Sequence, residues 1–101
     1  MLKPEGVKLS IQCPACKRSS EEYSWTMKTA AMFSIGEDTC PGVLQVMLAT
    51  LDGEGEYFDG YRMVCPRCHN GVNFDEIQLP AEEEIRAYAE AAGEEYRNLW
   101  L

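Results

Sequence analysis

The sequence predicts an α+β fold: a small antiparallel β-sheet with an inserted hairpin, closed by a C-terminal amphipathic helix. Three observations predict it. Val7, Leu9 and Ile11 alternate with Lys8, Ser10 and Gln12, the period-two pattern of a strand with one buried face. Two Cys-Pro-x-Cys turns, "CPAC" at 13–16 and "CPRC" at 65–68, each end a strand-like run. Ile85, Tyr88, Ala89, Ala92, Tyr96 and Leu99 recur at three- and four-residue steps, the apolar stripe of a helix docked on one face.

The elements follow in chain order. The first strand leads from Val7 into Cys13. Residues 22–28, "EYSWTMK", are rich in aromatic and β-prone types and are expected to return as a second strand, with Trp25 in the core. Residues 29–42 show no clear period, and the cluster at 36–42 reads as a loop. The apolar run "VLQVMLATL" at 43–51 is read as a central strand, with a short buried helix as the alternative. "DGEGE" at 52–56 carries the glycines of a hairpin turn, so 57–65 would run back antiparallel, with Asp59-Gly60 marking a bulge or second turn. Val72, Phe74, Ile77 and Leu79 suggest one more short strand. Pro80 suits a first helical turn, and Glu82, Glu83 and Glu84 put negative charge where the helix dipole favours it. The helix is therefore expected over 80–100, ended or bent at Gly93, with Trp100 in the core.

A chain of 101 residues with 46% hydrophobic content suits a single domain, with the sheet at 1–79 and the acidic helix beyond it. So short a chain builds a modest core, in which an added cross-link matters. Its formal charge of −8 opposes non-specific attraction to nucleic acid and favours a basic partner. No run is apolar enough for a signal peptide or a membrane span, so no membrane partner and a cytoplasmic, reducing setting are expected. Paired cysteines there are expected to hold metal in preference to forming disulfides.

Each Cys-x-x-Cys turn is tight enough to aim both sulfurs at one point. Two such turns brought together make the four-thiolate tetrahedron of a closed structural zinc site, so Cys13, Cys16, Cys65 and Cys68 are the expected ligands of Zn²⁺. The 48 residues between Cys16 and Cys65 make this a clip across a long loop. A redox dithiol is the competing reading, and it needs each pair to open a helix. Cys40, in "DTCPG", is expected to be a free, half-buried thiol, and His69 a surface residue.

"CPACKR" and "CPRCHN" resemble the two zinc knuckles of zinc-ribbon proteins, and the resemblance implies the same four ligands and a ribbon-like sheet. Two features depart from that pattern: Lys17 and His69 stand where those knuckles commonly carry glycine, and the interval between the pairs is long. The spacing and acidity also resemble rubredoxins, which would imply iron and an electron carrier.

Four thiolates leave a zinc ion no open position for an activated water, and the chain has one histidine and no hydrolase or phosphate-binding motif. A non-enzymatic protein-interaction or regulatory module is therefore expected, one that engages a basic protein surface, such as the groove of a nucleic-acid-binding protein. Glu83, Glu90 and Glu94 would supply charge, and Tyr57, Phe58, Tyr61 or Trp100 the aromatic anchor. The alternative is nucleic-acid contact through Lys17, Arg18, Arg67 and His69 on the knuckles. Those cations would equally offset the excess charge of four thiolates around one Zn²⁺.

Overall fold

The computed structural model describes residues 7–33, 39–58 and 60–101. Asp59, residues 36–38 of the expected loop and the side chain of Tyr57 lie outside the described residues.

The fold is α+β, with two small antiparallel sheets and several helices. Strands β1 (Ser10–Gln12) and β2 (Ser19–Glu21) pair around the first cysteine turn, with Ile11 opposite Ser20. Strands β3 (Arg62–Val64) and β4 (Gly71–Asn73) pair around the second, with Met63 opposite Val72. Each cysteine turn is thus the tip of its own hairpin. The single sheet strung between the two turns is not what forms.

Helices fill the interval instead. Residues 22–28, expected as a strand, belong to helix α1 (Glu22–Phe33). Its buried residues Glu22, Trp25, Thr26 and Thr29 fall at helical steps. Three of those four are polar, so a search for apolar periodicity passes over them. Residues 43–51 form helix α2 (Val43–Leu51), the alternative reading of that run, with Val43, Leu44, Val46 and Met47 buried. The expected hairpin turning at 52–56 does not form among the described residues. Gly53, at φ +80°, turns the chain, and a 3₁₀ helix (Gly55–Phe58) leads to β3. After β4 a second 3₁₀ helix (Phe74–Glu76) replaces the expected strand continuation.

The C-terminal helix is present but divided. Helix α3 (Glu82–Ala92) and the short α4 (Glu94–Arg97) meet at Gly93, whose φ of 93° and ψ of 161° suit glycine almost alone. The break swings Tyr96 into the core and lets the tail pair with an earlier segment: the Cys40 and Leu101 backbones exchange hydrogen bonds at 2.9 Å each way. Trp100, read both as a core aromatic and as a candidate exposed anchor, is 49% exposed and packs on Phe58 with ring centroids 6.2 Å apart.

One hydrophobic cluster runs from Leu9 and Ile11 through Trp25, Leu44 and Met63 to Ile85 and Tyr96, and includes Cys13 and Cys65. Polar side chains of α1 stitch it together. Trp25 Nε1 donates to the Ile11 carbonyl at 3.2 Å, and Thr29 Oγ1 accepts the Val64 N–H at 3.0 Å, which fixes α1 to both hairpins. The N-terminus of α2 begins at Gly42, which has no side chain to cap it. Its first donors go to α1: Val43 N–H to Thr26 Oγ1 at 3.0 Å and Leu44 N–H to Glu22 Oε2 at 2.9 Å. A carboxylate there also meets the positive end of the helix dipole.

Candidate metal centre

The two hairpin tips are built alike. In the first, the Cys13 N–H donates to Arg18 O and the Lys17 N–H to Cys13 O, both at 2.9 Å. In the second, the Cys65 N–H donates to Asn70 O at 3.1 Å and the His69 N–H to Cys65 O at 2.9 Å. Lys17 and His69 take left-handed backbone conformations, with φ of 65° and 63°. This is the geometry that glycine adopts most easily, so both turns take a glycine-favouring shape without a glycine there.

Each turn also directs backbone donors at sulfur. The Ala15 N–H lies 3.3 Å from Cys13 Sγ, and the Arg67 and Cys68 N–H groups lie 3.3 and 3.4 Å from Cys65 Sγ. Such donors stabilise thiolate over thiol. Burial acts oppositely and more strongly at Cys13, where it pushes the thiol up to about 11 from 9.0. In this dry setting a thiolate needs a cation beside it.

The tips meet sulfur to sulfur. Cys13 Sγ lies 3.8 Å from Cys68 Sγ, and Cys16 Sγ lies 3.8 Å from Cys65 Sγ, with all four sulfurs within 4.8 Å of one another. A regular tetrahedron with metal–sulfur bonds of about 2.3 Å has edges of about 3.8 Å. The donor set therefore fits a tetrahedral, thiolate-preferring ion at close to its bonded size. Cys13 and Cys65 are fully buried, and Cys16 and Cys68 are half-buried. Neither pair opens a helix, since Cys16 is followed by β2 and Cys68 by β4; the arrangement a redox dithiol requires is absent at both. Cys40 is outside the group of four, on the segment that pairs with the C-terminal tail.

The knuckle cations divide. Lys17, Arg18, Arg67 and His69 are all exposed, but only Arg67 is held by the opposite hairpin. Arg67 turns back across the site, its Nε donating to Ser19 O at 3.1 Å and Ser20 Oγ at 3.0 Å, so it braces one hairpin against the other. The acidic and aromatic candidates divide as well. Glu83 and Glu90 are exposed on α3, seven residues apart and so on one helical face. Glu94, on α4, lines a cleft with Phe58. Tyr61 is drawn inward, donating to Pro41 O at 3.1 Å and meeting Phe74 edge-on.

The sequence reading missed the buried acid at the start of α1. Glu22 has no exposed surface, and its carboxylate accepts from Thr26, Leu44 N–H, Tyr88 and Tyr96. The signal was the spacing of Glu22, Trp25, Thr26 and Thr29, legible once polar residues are allowed on a buried helical face.

Among the described residues no helix is long and apolar enough to cross a membrane. In comparisons with protein-family models, characterised proteins and solved structures, nothing matches this chain.

Proposed function

We propose that this is a non-enzymatic protein whose single domain is held together by a structural zinc ion on Cys13, Cys16, Cys65 and Cys68, in a zinc-ribbon-like site. The observation that carries the reading is the convergence of the four sulfurs at tetrahedral spacing. With every position taken by protein sulfur, the ion presents no site for substrate or activated water. Its contribution is to folding: comparable sites supply about 10–16 kcal/mol of apparent binding free energy, more than most domains possess in total.

The work of the protein then lies on its surface, as an interaction or regulatory module for a partner with a basic face. The charge of −8 supports this, together with the exposed acids of α3 and α4. Nucleic-acid binding is less well supported, because Arg67 is already engaged in bracing the hairpins and a polyanion would meet an acidic protein. Titrating a strong chelator while following circular dichroism tests the structural role: the native signal should be lost as metal is withdrawn. A fold that survives complete metal removal would contradict it. Capture of native partners by the wild type and by the Glu83→Lys/Glu90→Lys/Glu94→Lys variant tests the surface, with loss of the partner expected from the variant. Visible absorption by the freshly purified protein would instead favour the rubredoxin-like iron reading, since Zn²⁺ is colourless.

A further inference from the structure

A cleft of about 510 Å³ opens between the second half of α2, the 3₁₀ helix at Gly55–Phe58 and α4. It is as large as many ligand sites, which span roughly 300–1,000 Å³. Its lining mixes three chemistries. Leu48 and Phe58 are apolar, Asp52, Glu54 and Glu94 are acidic, and Arg97 is the one cation. Asp52 is paired with Arg86 at 2.9 Å, but among the described residues Glu54, Glu94 and Arg97 make no ion pair, even with each other. The Nε of Arg97 is buried without an acceptor. A buried donor left unmet carries a desolvation cost, which a small shift of the Arg97 side chain toward a bound carbonyl would relieve.

We propose that this cleft is the docking site for an extended, Lys/Arg-containing segment of a partner protein. The proposal rests on the basic-partner reading above and assigns that partner its place. An extended peptide supplies what the cleft lacks. Its backbone carbonyls can accept from Arg97, and its basic side chains can meet Glu54 and Glu94. An apolar side chain beside them can pack on Leu48 and Phe58. A polyamine offers cations and apolar methylenes but no carbonyl acceptors, so it leaves the Arg97 donor unmet. The half-exposed Trp100, tilted against Phe58, extends the aromatic surface past the cleft, as a ligand longer than one residue requires.

The experiment is fluorescence anisotropy with the full metal-loaded chain and a labelled heptapeptide of alternating Arg and Lys with one central Leu. The matched Glu peptide serves as control, and spermidine as competitor. Wild type should bind the basic peptide and ignore the acidic one. Glu54→Lys/Glu94→Lys should weaken binding at least about tenfold, whereas Glu83→Lys/Glu90→Lys on the outer face of α3 should change it less than about twofold. Arg97→Met should weaken it severalfold, which simple attraction between an acidic protein and a basic peptide does not predict, because that change makes the protein more acidic. Unchanged metal content and circular dichroism would show that the variants are folded. If the α3 reversal abolishes binding and the cleft reversal does not, the cleft assignment is wrong while the basic-partner reading stands. If spermidine displaces the peptide at equal concentration, the peptide assignment is wrong. If wild type does not distinguish the basic from the acidic peptide, the basic-partner reading fails and the cleft assignment fails with it.

Discussion

The hydroxyl of Tyr96 donates to Oε1 of Glu22 across 2.6 Å, joining residues 74 positions apart in the chain. Tyr88 donates to the same oxygen at 2.8 Å, while Oε2 receives Thr26 and the Leu44 N–H. A single buried carboxylate thereby ties α1, α2, α3 and α4 together, where the cluster of four cysteine sulfurs joins only the two hairpin tips.

Removing that carboxylate should be severe. Glu22→Ala leaves four donors facing a cavity, and Glu22→Gln turns an amide N–H₂ toward groups that also donate. Breaking a buried, charge-bearing network of this kind costs about 3–5 kcal/mol, and Tyr96→Phe, which removes one donor, about 1–3 kcal/mol. Urea denaturation of metal-loaded protein measures both. A Glu22→Gln variant as stable as wild type would show that the network is dispensable.

Alkali should expose the same network. Burial first, then the charge of Glu22, pushes the Tyr88 and Tyr96 hydroxyls well above the ordinary 10.0, and burial does the same at Tyr61. A folded pKa above the unfolded one leaves stability intact below about pH 10. Above it the unfolded chain releases protons that the native chain keeps, so stability falls as pH climbs toward the folded values. Each such tyrosine contributes a slope of roughly 1.4 kcal/mol per pH unit. Urea midpoints between pH 9 and 11 should drop less steeply for Tyr96→Phe than for wild type.

The left-handed residues of the two tips offer a test in the opposite direction. Lys17→Gly and His69→Gly relieve a conformation that disfavours side chains, and each should raise stability by about 0.5–1 kcal/mol with metal content unchanged. Thermal melts of the two variants check this, and a loss of stability would mean that the side chains contribute more than the backbone strain removes.

Gly93 is the converse case. A Cβ there would meet nothing within 4 Å, so any cost of Gly93→Ala comes from backbone conformation alone. That cost should be about 1–3 kcal/mol, and a helix continued through the break would carry Tyr96 away from Glu22. The Tyr96→Phe change should then have little further effect in the Gly93→Ala background, as a double-mutant cycle would reveal.

How much of this was legible in the sequence depended on where each signal lies. The cysteine turns were readable because metal geometry is local: two sulfurs at three-residue spacing already share a direction, and the pairing of turns follows from their chemistry. The start of the stripe at Ile85, Tyr88 and Ala89 was readable because that helix buries apolar residues. Helix α1 was not, since its buried face carries Glu22, Thr26 and Thr29, whose partners on α2, α3, α4 and β3 are distant in sequence. The run at Val43 was ambiguous for the same reason. Nine apolar residues suit a strand or a buried helix, and the groups that cap the helix belong to α1. The cleft between α2 and α4 had no local signature either, because the break at Gly93 brings its walls together.

Cys40 provides an internal control for the metal assignment. Cys13→Ser or Cys65→Ser should abolish stoichiometric metal and leave the chain unfolded, whereas Cys40→Ala should keep a full complement of metal. Metal content and circular dichroism of the three variants check this together, and metal lost from the Cys40 variant would contradict the four-ligand set.

The most direct test is X-ray absorption at the metal edge of the purified protein, with metal content measured on the same sample. The account predicts one zinc per chain, surrounded by four sulfur atoms at about 2.3 Å and no oxygen or nitrogen ligand. Iron in that position, a nitrogen or oxygen in the coordination shell, or protein that folds with no bound metal would contradict it.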